Sequence, residues 1–130
     1  MNLSFLGYGM RGVFEAGLIA LAAGLVVFAL VHGLLRRRMR WSDAHEIGWS
    51  WLVAVAIGAG ADTWQLFYLS VIPLQSPVTI RRVLADIHDP DYLSTRVFME
   101  FAAVSLGVML GWWIARLRRH MGGASGQDRK

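Results

Sequence analysis

Three apolar stretches, each long enough to cross a lipid bilayer, occupy most of this 130-residue chain. They run from about residue 13 to 35, from 47 to 72 and from 97 to 117. A transmembrane helix needs about 20 consecutive, mostly apolar residues, because the hydrocarbon core of a bilayer is about 30 Å thick. We therefore predict an all-α integral membrane protein with three transmembrane helices.

The composition bounds what else the chain can contain. Three spans and their connections use up residues 1–121 as one membrane domain, and residues 122–130 are expected to form a flexible basic tail. The net charge of +4 comes from basic residues at the ends of the spans, so it predicts contact with lipid headgroups and no nucleic-acid partner. The absence of cysteine excludes disulfides and thiolate metal sites.

The distribution of arginine predicts the orientation. Four arginines lie between residues 36 and 40, and a second basic segment follows the third stretch. Three crossings place these two segments on the same side, and the positive-inside rule makes that side the cytoplasm. We expect a bacterial inner-membrane protein with its N-terminus outside and its C-terminus inside, since arginine outnumbers lysine twelve to one, as in GC-rich bacterial genomes.

The connection between the second and third stretches is predicted to be structured. Pro77 suits the first position of a helix, and a helix over residues 77–88 would be amphipathic. Such a helix lies flat on the outer membrane surface or against a partner. Asp89 and Pro90 repeat the signal, so we expect the third helix to begin there. The apolar face of the interfacial helix comprises Ile80, Val83, Leu84 and Ile87, and its polar face carries Arg81 and Arg82.

Small residues recur at every fourth position in all three stretches. Helices in a membrane associate through close backbone contacts, which small side chains permit. We therefore predict that these positions form the contacts between helices, with a GxxxG motif in the third. They are Ala16, Ala20 and Gly24 in the first stretch, Ser50, Ala54 and Gly58 in the second, and Ala103, Gly107, Gly111 and Ala115 in the third.

Ionisable side chains within the apolar stretches are the candidates for a functional site. Asp62 lies well inside the second stretch, Glu100 inside the third and Glu15 near the start of the first. A charge at the bilayer centre costs about 2.5–3.5 kcal/mol on insertion scales, so such residues face protein or water. Arg96 and Arg11 lie one helical turn before Glu100 and Glu15, which makes both arginines candidate partners.

Three interpretations of Asp62 stay open at this level. The first is a structural cluster in which Asp62 pairs with Arg96 or Arg11 and fixes how the helices pack. The second is a proton or cation site in which Asp62 is the titrating group, and the third is a contact with another subunit. In the second case burial and a neighbouring arginine act on the carboxylate in opposite directions.

No cofactor or metal is expected. His32 and His45 lie at similar depth, and two facing imidazoles are the ligand set of a b-type haem, but no further pattern supports one. We find neither a nucleophile–base set nor a phosphate-binding glycine loop, so we do not expect an enzyme.

The expected function is that of a small non-enzymatic accessory subunit in a larger respiratory, photosynthetic, transport or secretion complex. Its partners would be membrane lipid and other membrane subunits, or further copies of itself. Two alternatives stand beside it. Three spans, an outside N-terminus and a short basic tail resemble the layout of three-span phage holins, which implies a self-assembling pore. The other is a proton- or cation-coupled homo-oligomeric transporter with Asp62 as the carrier.

Overall fold

The computed structural model describes residues 7–71, 77–87 and 89–124, and every regular element in these ranges is helical. This confirms the all-α prediction. Two of the helices, the first and the last, are long and apolar enough to cross a membrane. The elements are α1 (Met10–Met39), α2 (Asp43–Gly58), α3 (Gly60–Val71), α4 (Pro77–Ala85) and α5 (Leu93–Ala124), with a 3-10 turn at Pro90–Tyr92.

The second apolar stretch is not one continuous helix, which corrects the prediction of a single helix over residues 47–72. It forms α2 and α3, which meet at an angle of 70°. At 1.5 Å per residue α2 is about 24 Å long and α3 about 18 Å, so neither alone matches a 30 Å hydrocarbon core. Gly58 and Gly60 flank the break at Ala59, and glycine is a common cause of sharp helix kinks.

The helices α1 and α5 pack side by side in the same direction. A Cβ atom added to Gly24 would lie 3.2 Å from the Cα of Gly107, and one added to Gly111 would meet the ring of Phe28. The second contact lies four residues after the first on α1 and also on α5, which is the pattern of a parallel pair. The backbone amide of Gly9, just before α1, donates a hydrogen bond to Asp89, just before α5.

The helix α2 runs in the opposite direction between these two. Near its start Asp43 lies 3.6 Å from Arg119 late in α5, and further along the indole of Trp51 donates to Ser105 at 2.9 Å. The side chain of Ser42 caps α2 by accepting from the amide of His45. The shared core of the three helices comprises Ala20, Val27, Phe28, Val31, Ala54, Ala103, Val104 and Val108.

A second, smaller core lies where α3 and α4 meet the start of α5. Its buried members are Ile87, Leu93 and Val97. The helix predicted over residues 77–88 ends at Ala85, because Asp86 and Ile87 turn the chain with hydrogen bonds to the carbonyls three residues back. His88 lies outside the described residues.

The ends of α5 differ in detail from expectation. The third helix is predicted to begin at Asp89 and Pro90, but residues 90–92 form a 3-10 turn and α5 begins at Leu93. Asp89 does not cap the turn and instead accepts the hydrogen bond from Gly9. At the other end α5 continues through Ala124, past the start of the tail predicted at residue 122, and residues 125–130 lie outside the described range.

Candidate functional site

A buried cluster of three ionisable side chains lies where α3 meets α5. Asp62 is in the first turn of α3, immediately after the bend, and Arg96 and Glu100 are one turn apart on α5. The three residues are only 2%, 1% and 4% exposed. The Nε atom of Arg96 donates to Oδ2 of Asp62. We call these three residues the Asp62 cluster.

The bend between α2 and α3 places Asp62 in this position. Ala59 still donates to the carbonyl of Val55 at 2.8 Å, and Thr63 donates to Ala59 at 2.9 Å, so the backbone stays hydrogen-bonded through the change of direction. A carboxylate in the first turn of a helix also interacts favourably with the positive end of the helix dipole. The second apolar stretch therefore accommodates the acid at a helix start, where a straight helix would place it in mid-helix.

Three polar atoms of the Asp62 cluster make no hydrogen bond to any described residue. Oδ1 of Asp62, Nη2 of Arg96 and Oε2 of Glu100 are buried without a hydrogen-bond partner there. Two carboxylates face one guanidinium, so the cluster carries a formal charge of −1 when both acids are ionised. An unsatisfied buried polar group costs about 1–3 kcal/mol. Chemically, the cluster is suited to hold a proton or a small hydrogen-bonding ligand.

A second buried cluster, which the sequence analysis missed, joins α1 and α2. Glu46 is 1% exposed, its Oε1 atom is hydrogen-bonded to Nδ1 of His32, and the hydroxyl of Ser50 donates to its carbonyl at 2.6 Å. We call these residues the Glu46 cluster. The signal was present in the sequence, because Glu46 continues the four-residue series of Ser50 and Ala54 by one step towards the start of α2.

The remaining two predicted polar residues lie apart from both clusters. Arg11 and Glu15 form an ion pair of 3.0 Å near the start of α1, and the side chain of Arg11 is 83% exposed. Glu15 also accepts a hydrogen bond from the amide of Gly7 at 2.6 Å. The structure therefore brings Asp62, Arg96 and Glu100 together and does not bring Arg11 to Asp62.

The small residues lie where helices approach each other. Gly24 and Gly107 sit at the closest approach of α1 and α5, where a Cβ on Gly24 would be 2.7 Å from the carbonyl oxygen of Val104. A Cβ on Gly58 would lie 3.4 Å from the Cα of Ala20. Of the other predicted positions Ala16, Ala20, Ser50, Ala54 and Ala103 are buried, whereas Gly111 and Ala115 are partly buried.

The helix α4 is exposed along most of its length. Ile80 and Val83 are half-buried, Arg81 and Arg82 are exposed, and Leu84, expected on the apolar face, is 38% exposed. Ile87, just after the helix, is buried in the smaller core. A groove of about 390 Å³ separates α4 from α3 and is lined by Trp64, Gln65, Tyr68, Arg82, Val83, Asp86 and Ile87.

The two histidines line different grooves. His32 borders a groove between α1 and α5, whereas His45 borders one on α2 and contacts the hydroxyl of Ser42 through Nδ1 at 2.9 Å. The imidazoles therefore do not face each other across the bundle. Within the described ranges we find no group of three or more histidine, cysteine, aspartate or glutamate side chains arranged to hold a metal ion.

Comparison with known proteins identifies no relative. No family model, no curated protein and no solved structure matches the chain significantly.

Proposed function

We propose that this protein is a small, non-enzymatic subunit of a larger assembly in a bacterial inner membrane. In this proposal α1, the bent pair α2–α3 and α5 make three crossings, with the N-terminus outside. The bundle would anchor the subunit, and α3 and α4 would present its binding surface on the outer side. One observation carries the proposal: α4 is an amphipathic helix without a buried residue, next to an exposed aromatic face of α3.

The parallel packing of α1 and α5 supports three crossings. If both helices cross in the same direction, the chain between them has to return through the membrane, and α2 with α3 is the segment available. The same packing collects positive charge at one end of the bundle. Arg38 and Arg40 follow the span part of α1, and Arg118 and Arg119 lie late in α5. This end would be cytoplasmic by the positive-inside rule.

The exposed surface of α3 and α4 has the composition of a protein-binding site. Trp64 is 65% exposed and Phe67 and Tyr68 are also exposed, as are Arg81 and Arg82 on α4. We call these five residues the α3–α4 platform. Aromatic residues and arginine are enriched at the energetic centres of protein interfaces. A platform of this kind at the membrane surface is suited to a partner that carries negative charge.

Native mass spectrometry of the tagged full-length chain, extracted from its host in a mild detergent, tests the proposal. We expect other chains to co-purify in fixed stoichiometry. The double variant Arg81→Gln/Arg82→Gln should lose those chains, because it removes two positive charges from the platform. A wild-type chain that purifies alone, or only with copies of itself, would overturn the proposal.

A matched control separates the platform from a general charge effect. Ser94→Glu/Thr95→Glu also lowers the charge by two, at exposed positions in the first turn of α5. This control should keep the partners, and acidic residues at a helix start should not harm folding. Equal loss of partners in both double variants would mean that the platform is not the binding surface.

A second candidate function is proton- or cation-coupled transport, which the unpartnered atoms of the Asp62 cluster favour. A transported proton would bind to Asp62, with Arg96 as the fixed countercharge. In proteoliposomes Asp62→Asn should abolish flux, whereas Glu15→Gln, an acid outside the cluster, should not. Unchanged flux in Asp62→Asn would exclude this candidate. The pore alternative gains no support, because Asp62 faces α5 of its own chain.

A further inference from the structure

A groove with a volume of about 650 Å³ runs between α1 and α5 near the end of the bundle that carries the most arginine. Its deeper part is apolar and is lined by Leu25, Val26 and Ile114 among others. Along α1 the groove extends from Leu25 to Gly33, about 12 Å at the helical rise of 1.5 Å per residue. Such a length and lining match part of one hydrocarbon chain.

The other end of the groove is basic. His32, Arg118 and Arg119 line it. Arg118 has no acidic partner among the described residues, and Arg119 makes only a long contact of 3.6 Å with Asp43 while remaining 40% exposed. Exposed pairs of this kind contribute little, so both guanidinium groups remain able to bind an anion. The imidazole of His32 is held in place by its bond to Glu46.

A glycine keeps the groove open. Gly33 lines the groove next to His32, and nothing lies within 4 Å of a Cβ atom added at this glycine. A larger side chain at this position would fill the space between the apolar and basic parts without clashing with the bundle.

We propose that this groove binds one anionic phospholipid. One acyl chain lies against Val26 and Ile114, and the phosphate contacts Arg118 and Arg119. Basic pockets between transmembrane helices on the cytoplasmic side are suited to acidic lipid headgroups. An apolar channel with two arginines at one end matches an anionic phospholipid, because every such lipid carries a phosphate next to its acyl chains. A partner helix matches less well, because a transmembrane helix does not need to carry an acidic residue at that position. The cytoplasmic position of the groove rests on the three crossings of the proposed function, whereas lipid binding does not require the proposed partner subunits.

The test uses the delipidated full-length protein and native mass spectrometry. When each lipid is added back, we expect one phosphatidylglycerol to bind per chain, and phosphatidylcholine with the same acyl chains to bind much less. Gly33→Leu should remove the bound phosphatidylglycerol. Gly48→Leu is the matched control, because Gly48 is another helical glycine without neighbours within 4 Å, but it borders a different groove on α2.

A charge variant tests the basic end separately. Arg118→Gln should weaken phosphatidylglycerol binding about fivefold, the effect expected for one basic residue near an anionic headgroup. Arg116→Gln should leave the affinity unchanged, since the Arg116 guanidinium lies 5.3 Å from the Trp112 ring centre and does not line the groove. This pair keeps the proposal testable if leucine at position 33 impairs folding.

Four results would overturn the proposal. Equal retention of phosphatidylcholine would show that charge does not select the ligand, and saturation by inorganic phosphate alone would show that the acyl chain is not needed. Undiminished phosphatidylglycerol binding in Gly33→Leu would place the lipid elsewhere. Loss of a co-purifying membrane protein in Gly33→Leu, with lipid binding intact, would make the groove a site for a partner helix.

Discussion

Arg96 is the residue on which the charge balance of the Asp62 cluster depends. It is 1% exposed and it is the one cation of the Asp62 cluster, beside two carboxylates. Removing Arg96 leaves Asp62 and Glu100 facing each other in an apolar medium. Removing Asp62 leaves one acid, Glu100, with one guanidinium at i, i+4 spacing on the same helix. Substitution of Arg96 is therefore expected to destabilise the protein more than substitution of Asp62.

We expect Arg96→Met to destabilise the bundle by about 3–5 kcal/mol, the cost of leaving a buried charge without its partner. Asp62→Asn should cost clearly less, because the remaining charges of the cluster cancel. The measurement is unfolding in mixed micelles followed by circular dichroism. Arg11→Met is the control and should have no measurable effect, since its pair with Glu15 is largely exposed. Equal losses for Arg96→Met and Asp62→Asn would contradict this account.

Among the elements, the closest contact is between α1 and α5, and it depends on two glycines. A Cβ atom on Gly107 would collide with the carbonyl oxygen of Leu21, and one on Gly24 would collide with that of Val104. Backbone atoms cannot rotate away as side chains do, so any larger residue has to push the helices apart. The break at Ala59 is different, because there the flanking glycines permit a change of direction between α2 and α3.

Gly107→Ala should therefore destabilise the bundle by about 1–3 kcal/mol, the usual cost of overpacking a core. The same substitution at Gly33, where nothing lies within 4 Å, should be neutral or stabilise the helix by up to about 1 kcal/mol. Both variants can be compared by thermal unfolding in the same detergent. A neutral Gly107→Ala would mean that α1 and α5 are not packed as closely as described.

At the scale of the whole molecule, the bent pair α2–α3 determines on which side each end of the chain lies. If the pair crosses the membrane, the end of α1 and the end of α5 share one side. If it dipped into the membrane and returned, they would lie on opposite sides, and α1 and α5 could not cross as the parallel pair that they form. The chain contains no cysteine, so single introduced cysteines report on one position each.

We expect Ser94→Cys, at the start of α5, to react with a membrane-impermeant maleimide in intact spheroplasts. Met39→Cys and His120→Cys, at the ends of α1 and α5, should react only after the membrane is permeabilised. All three positions are exposed in the folded chain. Labelling of Met39→Cys and His120→Cys from opposite sides would contradict both the three crossings and the parallel packing of α1 with α5.

Part of the candidate site follows from spacing alone. Asp62 continues the four-residue series of Ser50, Ala54 and Gly58, so its burial at a helix contact was predictable. Glu100 lies one turn after Arg96, which places these two residues on one face of the helix but does not by itself predict that Glu100 is buried. Which arginine pairs with Asp62 was not predictable from spacing. Arg11 and Arg96 were equal candidates by distance from a span end, and only the packing of α3 on α5 selects Arg96. Glu46 was missed because it lies at the edge of an apolar stretch, where an exposed acid is usual.

The sequence by itself determined that the chain is helical and that its first and last helices are apolar enough to span a membrane, because hydropathy, proline and capping residues act within a single segment. It thereby predicted α1, α5 and the start of helical structure at Pro90 before any tertiary contact is considered. Only the tertiary structure decided the 70° bend, the pairing of Glu46 with His32 and the groove between α1 and α5. These features depend on which helix faces meet, and glycines such as Gly58 and Gly107 permit close approach without specifying its direction.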